Sequence, residues 1–141
     1  MSKTDSNKVD KIKLEDDFMC FVCGKHNSSG LGLTFQLDGN TMKTEFTPKK
    51  VHQGFANITH GGIIATVLDE VMLNLLYRKN IYALTAELGV RFRKSSKVGE
   101  KLFFSSTIDE KKGKIIKTSA QAKNSNGQMI ASAQAKCIVV A

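Results

Sequence analysis

The chain has no tryptophan, one proline (Pro48), two tyrosines and three cysteines in 141 residues. No apolar run approaches the roughly 18–20 residues that a bilayer-spanning helix needs, so neither a span nor a membrane partner is expected. Cys20, Cys23 and Cys137 are too few and too unevenly placed for a disulfide framework, which fits a reducing, cytoplasmic setting. Residues 1–17 are polar and charged, without the apolar stretch of an export signal, and read as a disordered leader. Without tryptophan or a series of exposed aromatics there is no stacking platform for single strands, so nucleic acid is not an expected partner.

The chain as a whole is 41% hydrophobic and 24% charged, which supports one globular domain over residues 18–141 with a real core. The net charge is +8, and the leader does not supply it: residues 1–17 hold four lysines against five acids. Such an excess suits an anionic partner, such as the phosphates of a small molecule, or simply a well-solvated surface.

The order of elements follows from periodicity. Phe18 to Gly24 reads as a short helix or turn. Leu33-Phe35-Leu37 alternates as a strand, Asp38-Gly39 turns it, and Met42 to Thr47 returns until Pro48. A loop, Val51 to Ile58, precedes a helix predicted over Thr59 to Tyr77. Beyond it, Leu84, Ala86, Leu88, Val90 and Phe92 alternate with Thr85, Glu87, Gly89, Arg91 and Arg93. Strands are expected at 101–109, 114–123 and 128–140, joined by turns at Glu110–Gly113 and Asn126-Gly127. Short polar turns make these last strands an antiparallel meander. The whole is an α+β chain in which a long central helix is wrapped by a curved antiparallel sheet.

The helix carries the most informative residue. Ile63, Ile64, Val67, Leu68, Val71 and Leu75 form one apolar stripe, and Ala65, Met72, Leu73 and Leu76 a second flank. At about 100° per residue, Asp69 points into that second flank, away from the polar strip of Thr66, Glu70 and Asn74. Buried carboxylates are uncommon unless paired or put to use.

Four motifs accompany it: Gln53-Gly54-Phe55, His60-Gly61-Gly62 nine residues before Asp69, Thr85-Ala86-Glu87-Leu88, and Cys20-Phe21-Val22-Cys23-Gly24 followed by Asn27 and Gly30-Leu31. Together they resemble the hotdog-fold acyl-CoA thioesterases of the phenylacetyl-CoA type and their thioesterase-superfamily-member relatives, from about Cys20 to the C-terminus. The resemblance implies an acyl-CoA thioester hydrolase of lipid metabolism, with no cofactor, working as a homodimer or a dimer of dimers. It implies substrate contacts from Gln53 and Asn57 and a water-orienting role for Thr85. Ser28 stands where the family often has proline, which affects a turn. Asn57 stands where a glycine often precedes His-Gly-Gly, which bears on the pocket entrance and hence on acyl length.

The chemistry can be argued from the residues. A helix's first turn leaves N–H groups unpaired at the positive end of its dipole, and Gly61 and Gly62 let a carbonyl oxygen approach them. They are the expected oxyanion site, with Asp69 as general base or nucleophile made more basic by burial. Gly62 and Asp69 lie roughly 10 Å apart along the axis, too far for one carbonyl. Two antiparallel helices about a two-fold axis would bring the glycines of one chain to Asp69 of the other. Arg91, Arg93, Lys94 and Lys97 are candidates for the coenzyme A phosphates. Simple alternation sets Thr85 on the sheet face opposite Leu84 and Leu88, so a bulge or a partner chain must carry it to Asp69.

Plainer readings stand beside these. His60 caps the helix or touches substrate. Glu70 and Glu87 are surface acids, with Glu70 the fallback base. Cys20-x-x-Cys23-x-x-His26 has zinc-like or redox-like spacing, but a fourth ligand, Cys137 or His52, would arrive only by luck of the fold, so no metal is expected. The competing functions are an acyl-CoA sensor without turnover, a hydratase, and a salt-sensitive nucleic-acid binder.

Overall fold

The computed structural model describes residues 12–140. Of the predicted leader, residues 1–11 lie outside the described residues, while the Ile12 N–H donates to the Val140 carbonyl at 3.1 Å. One sheet of six strands holds β1 (Gln36–Asp38), β2 (Thr41–Phe46), β3 (Ala83–Phe92), β4 (Leu102–Lys112), β5 (Ile115–Asn124) and β6 (Met129–Val139). Every neighbouring pair is antiparallel, and the order across the sheet is β1-β2-β4-β5-β6-β3. The single α-helix among the described residues, α1 (Gly61–Arg78), packs against every strand from β2 to β6. No helix of the described residues is long and apolar enough to cross a membrane.

The core forms where the helix stripe meets the inward strand positions. Ile64, Val67, Leu68, Val71, Met72, Leu75 and Leu76 are buried against Met42, Phe46, Leu102, Phe104, Ile116, Ile130 and a row of alanines from β5 and β6. Those alanines, at 120, 122, 131, 133 and 135, keep the sheet surface low enough for a helix with large side chains to lie on it.

Three boundaries differ from the periodicity reading. The helix starts at Gly61, because Thr59 pairs with Gln53 as a β-bridge and His60 is the N-cap. Its far end is closed by Asn80 at φ 62°, with Ile81 N–H donating to Leu76 O at 2.8 Å and Asn80 N–H to Tyr77 O at 3.0 Å. The first strand is shorter than predicted because the Leu31 and Leu33 amides bond instead to Phe21 O and Val22 O, at 2.7 and 2.8 Å. The β4–β5 turn is tighter, with Lys112 opposite Ile115 and Gly113 at φ 61°; the charged run 109–112 lies within the strand. The Asn126-Gly127 turn forms as expected, with Gly127 at φ 76°.

The two edges of the sheet are unequal. β1 is three residues long, a safely short edge, whereas β3 offers a ten-residue edge paired only on its β6 side. Leu84, Leu88 and Phe92 along β3 are all exposed.

Candidate active site

Asp69 is half-buried on α1, and Thr85 Oγ1 donates to its Oδ1 at 2.6 Å. A β-bulge makes this possible. The β3–β6 register shifts between Thr85 and Glu87, so Thr85 faces Cys137 while Leu88, Val90 and Phe92 face Ala135, Ala133 and Ala131. Those β6 residues are buried on the helix side. The extra residue, Ala86, therefore puts Thr85 on the same face as Leu88, where unbroken alternation would oppose them. Thr85 still faces away from Leu84. Cys137 was not singled out in sequence as part of this group. Burial pushes its thiol up and the Asp69 charge adds to the rise, while the neighbouring Thr85 and Thr118 side chains pull the other way. Asp69, Thr85 and Cys137 thus form one small polar cluster beneath the helix.

At the helix start, His60 acts as a cap: its Nδ1 accepts from the Gly62 N–H at 2.9 Å. The Gly62 amide is thereby satisfied within the chain. The Gly61 N–H has no partner among the described residues, which leaves it as the free donor of the pair. A Cβ on Gly62 would stand 3.1 Å from His60 Nδ1, whereas one on Gly61 would touch only the Phe92 ring, at 3.4 Å.

The preceding loop is braced by Gln53, whose Oε1 accepts from Asn57 N–H at 3.1 Å, and by Val98 N–H on Asn57 O at 3.0 Å. Asn57 sits at φ 64°, the left-handed region where asparagine is a workable substitute for glycine. That accounts physically for asparagine at a position where glycine is common.

The basic candidates lie elsewhere. Arg91 faces Ser132 on the outer surface of the sheet, and with Arg93 it lines a cavity of about 660 Å³ among Ser105, Thr107, Ser119 and Gln134. Lys94 donates to Gln128 Oε1 at 2.9 Å. The bulge turns Thr85 toward Asp69, while Arg91 stays on the opposite face, where plain alternation from Leu88 already sets it. That cavity therefore lies on the other face of the sheet from Asp69.

Glu70 is not the surface acid expected from the sequence. It is half-buried, and its Oε2 accepts from Cys23 Sγ at 3.7 Å and from Asn74 Nδ2 at 3.5 Å. Burial raises the Glu70 carboxyl above its ordinary value, partly offset by bonds from Asn74 and Cys23. Burial, the Cys20 thiol and the Glu70 charge push the Cys23 thiol up strongly. A carboxyl raised in the folded state favours folding below its ordinary value of 4.5, and that contribution is lost as pH rises through the folded value. In metal-free protein, Glu70→Gln is accordingly expected to raise Tm at neutral pH and to lose this advantage below about pH 4.5. Melting curves across pH check this; a neutral-pH Tm below wild type contradicts it.

The sequence model of the thioesterase superfamily matches residues 56–131, the stretch that holds His60-Gly61-Gly62, Asp69 and Thr85. No curated protein sequence matches the chain. Its fold is similar to that of a crystallised thioesterase superfamily protein, with TM-score 0.78 and 22% identity over 83% of this chain; the match spans 61% of that longer chain. It is similar to zebrafish thioesterase superfamily member 2, with TM-score 0.74 and 14% identity over 86% of this chain and 92% of that one. It is also similar to a hypothetical thioesterase of Streptococcus pneumoniae crystallised with coenzyme A, with TM-score 0.72 and 12% identity over 76% and 84% of the two chains.

Proposed function

Because the chain belongs to the thioesterase superfamily, we propose that it hydrolyses acyl-CoA, releasing the free acid and coenzyme A from a site shared by two protomers. The observation that carries this reading is the Asp69–Thr85 pair, 2.6 Å apart, on a helix whose first amide, that of Gly61, is free. Thr85 holds the carboxylate in one orientation. From there Asp69 takes a proton from an attacking water, or attacks the carbonyl carbon itself, expelling the coenzyme A thiolate and leaving an anhydride that water then hydrolyses to the free acid; either route needs the ionised acid. The Gly61 N–H, at the positive end of the helix, stabilises the oxyanion that develops as the carbonyl carbon is attacked and before the carbon–sulfur bond breaks.

Dimerisation supplies the meeting of these groups. Along β3, Thr85 marks the Asp69 end of the site and Phe92 marks the Gly61 end. Antiparallel self-pairing of β3 about its middle sets Thr85 of one chain near Phe92 of the other, and so Asp69 near the partner helix's start. The unpaired ten-residue edge and the exposed Leu84, Leu88 and Phe92 support such a pairing. Coenzyme A bound to the Streptococcus pneumoniae relative supports the choice of thioester. Arg91 and Arg93 then meet phosphates only where the nucleotide leaves the site and crosses to the outer face.

A thiol-release screen over aromatic and short- to long-chain aliphatic acyl-CoA esters tests the proposal. Release of coenzyme A from one class of ester is expected. Thermal stabilisation by acyl-CoA without release would overturn it in favour of a sensor.

A further inference from the structure

Outside the acyl site, one group of side chains has no part in thioester chemistry. Cys20, Cys23 and Glu70 bring two sulfurs and a carboxylate oxygen within 4.8 Å of one another, half-buried between the N-terminal segment and α1. We propose that these three residues bind a borderline-soft divalent cation, zinc by preference, through two thiolates and one carboxylate, with water in the fourth position.

The local backbone is built to present the thiols. Gly24 N–H donates to Cys20 O at 2.8 Å, closing a turn that sets both cysteines on one side. The turn is tight enough that a Cβ on Gly24 would lie 2.4 Å from Cys20 N. Phe21 O and Val22 O are tied to the Leu31 and Leu33 amides, so the turn is anchored at both carbonyls. Glu70 reaches it from the helix, 47 residues away in sequence, with Cys23 Sγ 3.7 Å from its Oε2.

The chemistry of the group asks for a cation. No ion pair among the described residues includes Glu70, and its two hydrogen bonds, at 3.7 and 3.5 Å, are long. A half-buried carboxylate facing two thiol sulfurs, with no cationic side chain beside it, is poorly compensated without positive charge. Zinc bonds of about 2.3 Å to sulfur and 2.0–2.2 Å to oxygen separate neighbouring ligands by roughly 3.5–3.8 Å, so the group needs only a small contraction. Cys-x-x-Cys is zinc spacing, and two thiolates select a softer ion than calcium or magnesium. Binding releases the two thiol protons and ties the N-terminal segment to the helix one residue from Asp69. His26, the third ligand suggested by sequence spacing, stacks instead on Phe18, with ring centroids 5.3 Å apart.

The test is a Co²⁺ titration of the full, reduced, metal-free chain, read by tetrahedral ligand-field bands and by the sulfur-to-cobalt charge-transfer band. One ion per chain is expected, displaced by Zn²⁺, with charge-transfer intensity for two thiolates. Cys23→Ser should roughly halve that intensity, and Glu70→Gln should keep it while weakening affinity by about tenfold or more. Cys137→Ser and His26→Ala should change neither. Zinc should also raise the Tm of the wild type and not that of Cys23→Ser, a readout independent of the spectrum. No charge-transfer band, a band unchanged in Cys23→Ser, or a site lost in His26→Ala would each overturn the proposal. So would reduced protein that ignores cobalt but forms a Cys20–Cys23 disulfide with oxidised glutathione.

Discussion

Asp69→Asn is expected to lower kcat for acyl-CoA hydrolysis by about 10²–10⁴-fold, the range for a lost general base, without changing the fold or the oligomer. Asparagine has nearly the same shape, and its carbonyl oxygen can still accept from Thr85 Oγ1, now 2.6 Å from Asp69 Oδ1. It can neither take a proton from water nor attack as a carboxylate. The loss therefore reports chemistry rather than packing, and Asp69→Ala should fall at least as far. Steady-state kinetics with the best ester from the screen, together with a melting curve, separate the two. An Asp69→Asn enzyme with most of its activity would remove this residue from the mechanism.

Gly61→Pro is the second large effect. Proline removes a single group, the amide proposed as oxyanion donor, and Gly61 is the first residue of α1, the helical position where proline is best tolerated. The preceding residue, His60, already has φ −61° and ψ 127°, as proline requires of its neighbour. The new Cβ meets only the Phe92 ring, at 3.4 Å. Stability should change by no more than about 1 kcal/mol. Turnover should drop by about 10²–10³-fold, the usual cost of one oxyanion donor. The drop should fall on kcat more than on KM, because the bond matters most as charge develops on the oxygen. Unchanged kcat in a well-folded variant would show that the Gly61 N–H does not take part.

Much of this arrangement was legible in the residues. The helix stripe, the Asn126-Gly127 turn and the three-strand meander have periodicity or turn chemistry that local physics reads directly. Asp69 stood out because a carboxylate at helical spacing among Ala65, Leu73 and Leu76 must either be put to use or be held as a structural acid by a partner's hydroxyl. The bulge was not legible. Nothing in Thr85-Ala86-Glu87 distinguishes it from a regular strand, because the extra residue is imposed by fitting β3 to both β6 and the helix. That single residue turns Thr85 inward to Asp69, while Arg91, which plain alternation already sets opposite Leu88, stays on the far face. The partner of Glu70 was equally hidden, since contacts 47 residues apart are set by the fold. The signal that could have found it was a polar strip, Thr66-Glu70-Asn74, on a helix otherwise apolar on both flanks. Such a strip needs something polar to lie against, and the unassigned cysteines were the available candidates.

The site proposed here belongs to two chains, so the most direct test mixes two dead ones. Asp69→Asn and Gly61→Pro subunits, co-refolded in equal amounts, pair at random, and half of the dimers are mixed. Each mixed dimer then holds one site with both defects and one with neither, so activity should return to about one quarter of the wild-type rate. A mixture no more active than its two parents, in dimers shown to have exchanged subunits, would contradict a site shared across the two-fold.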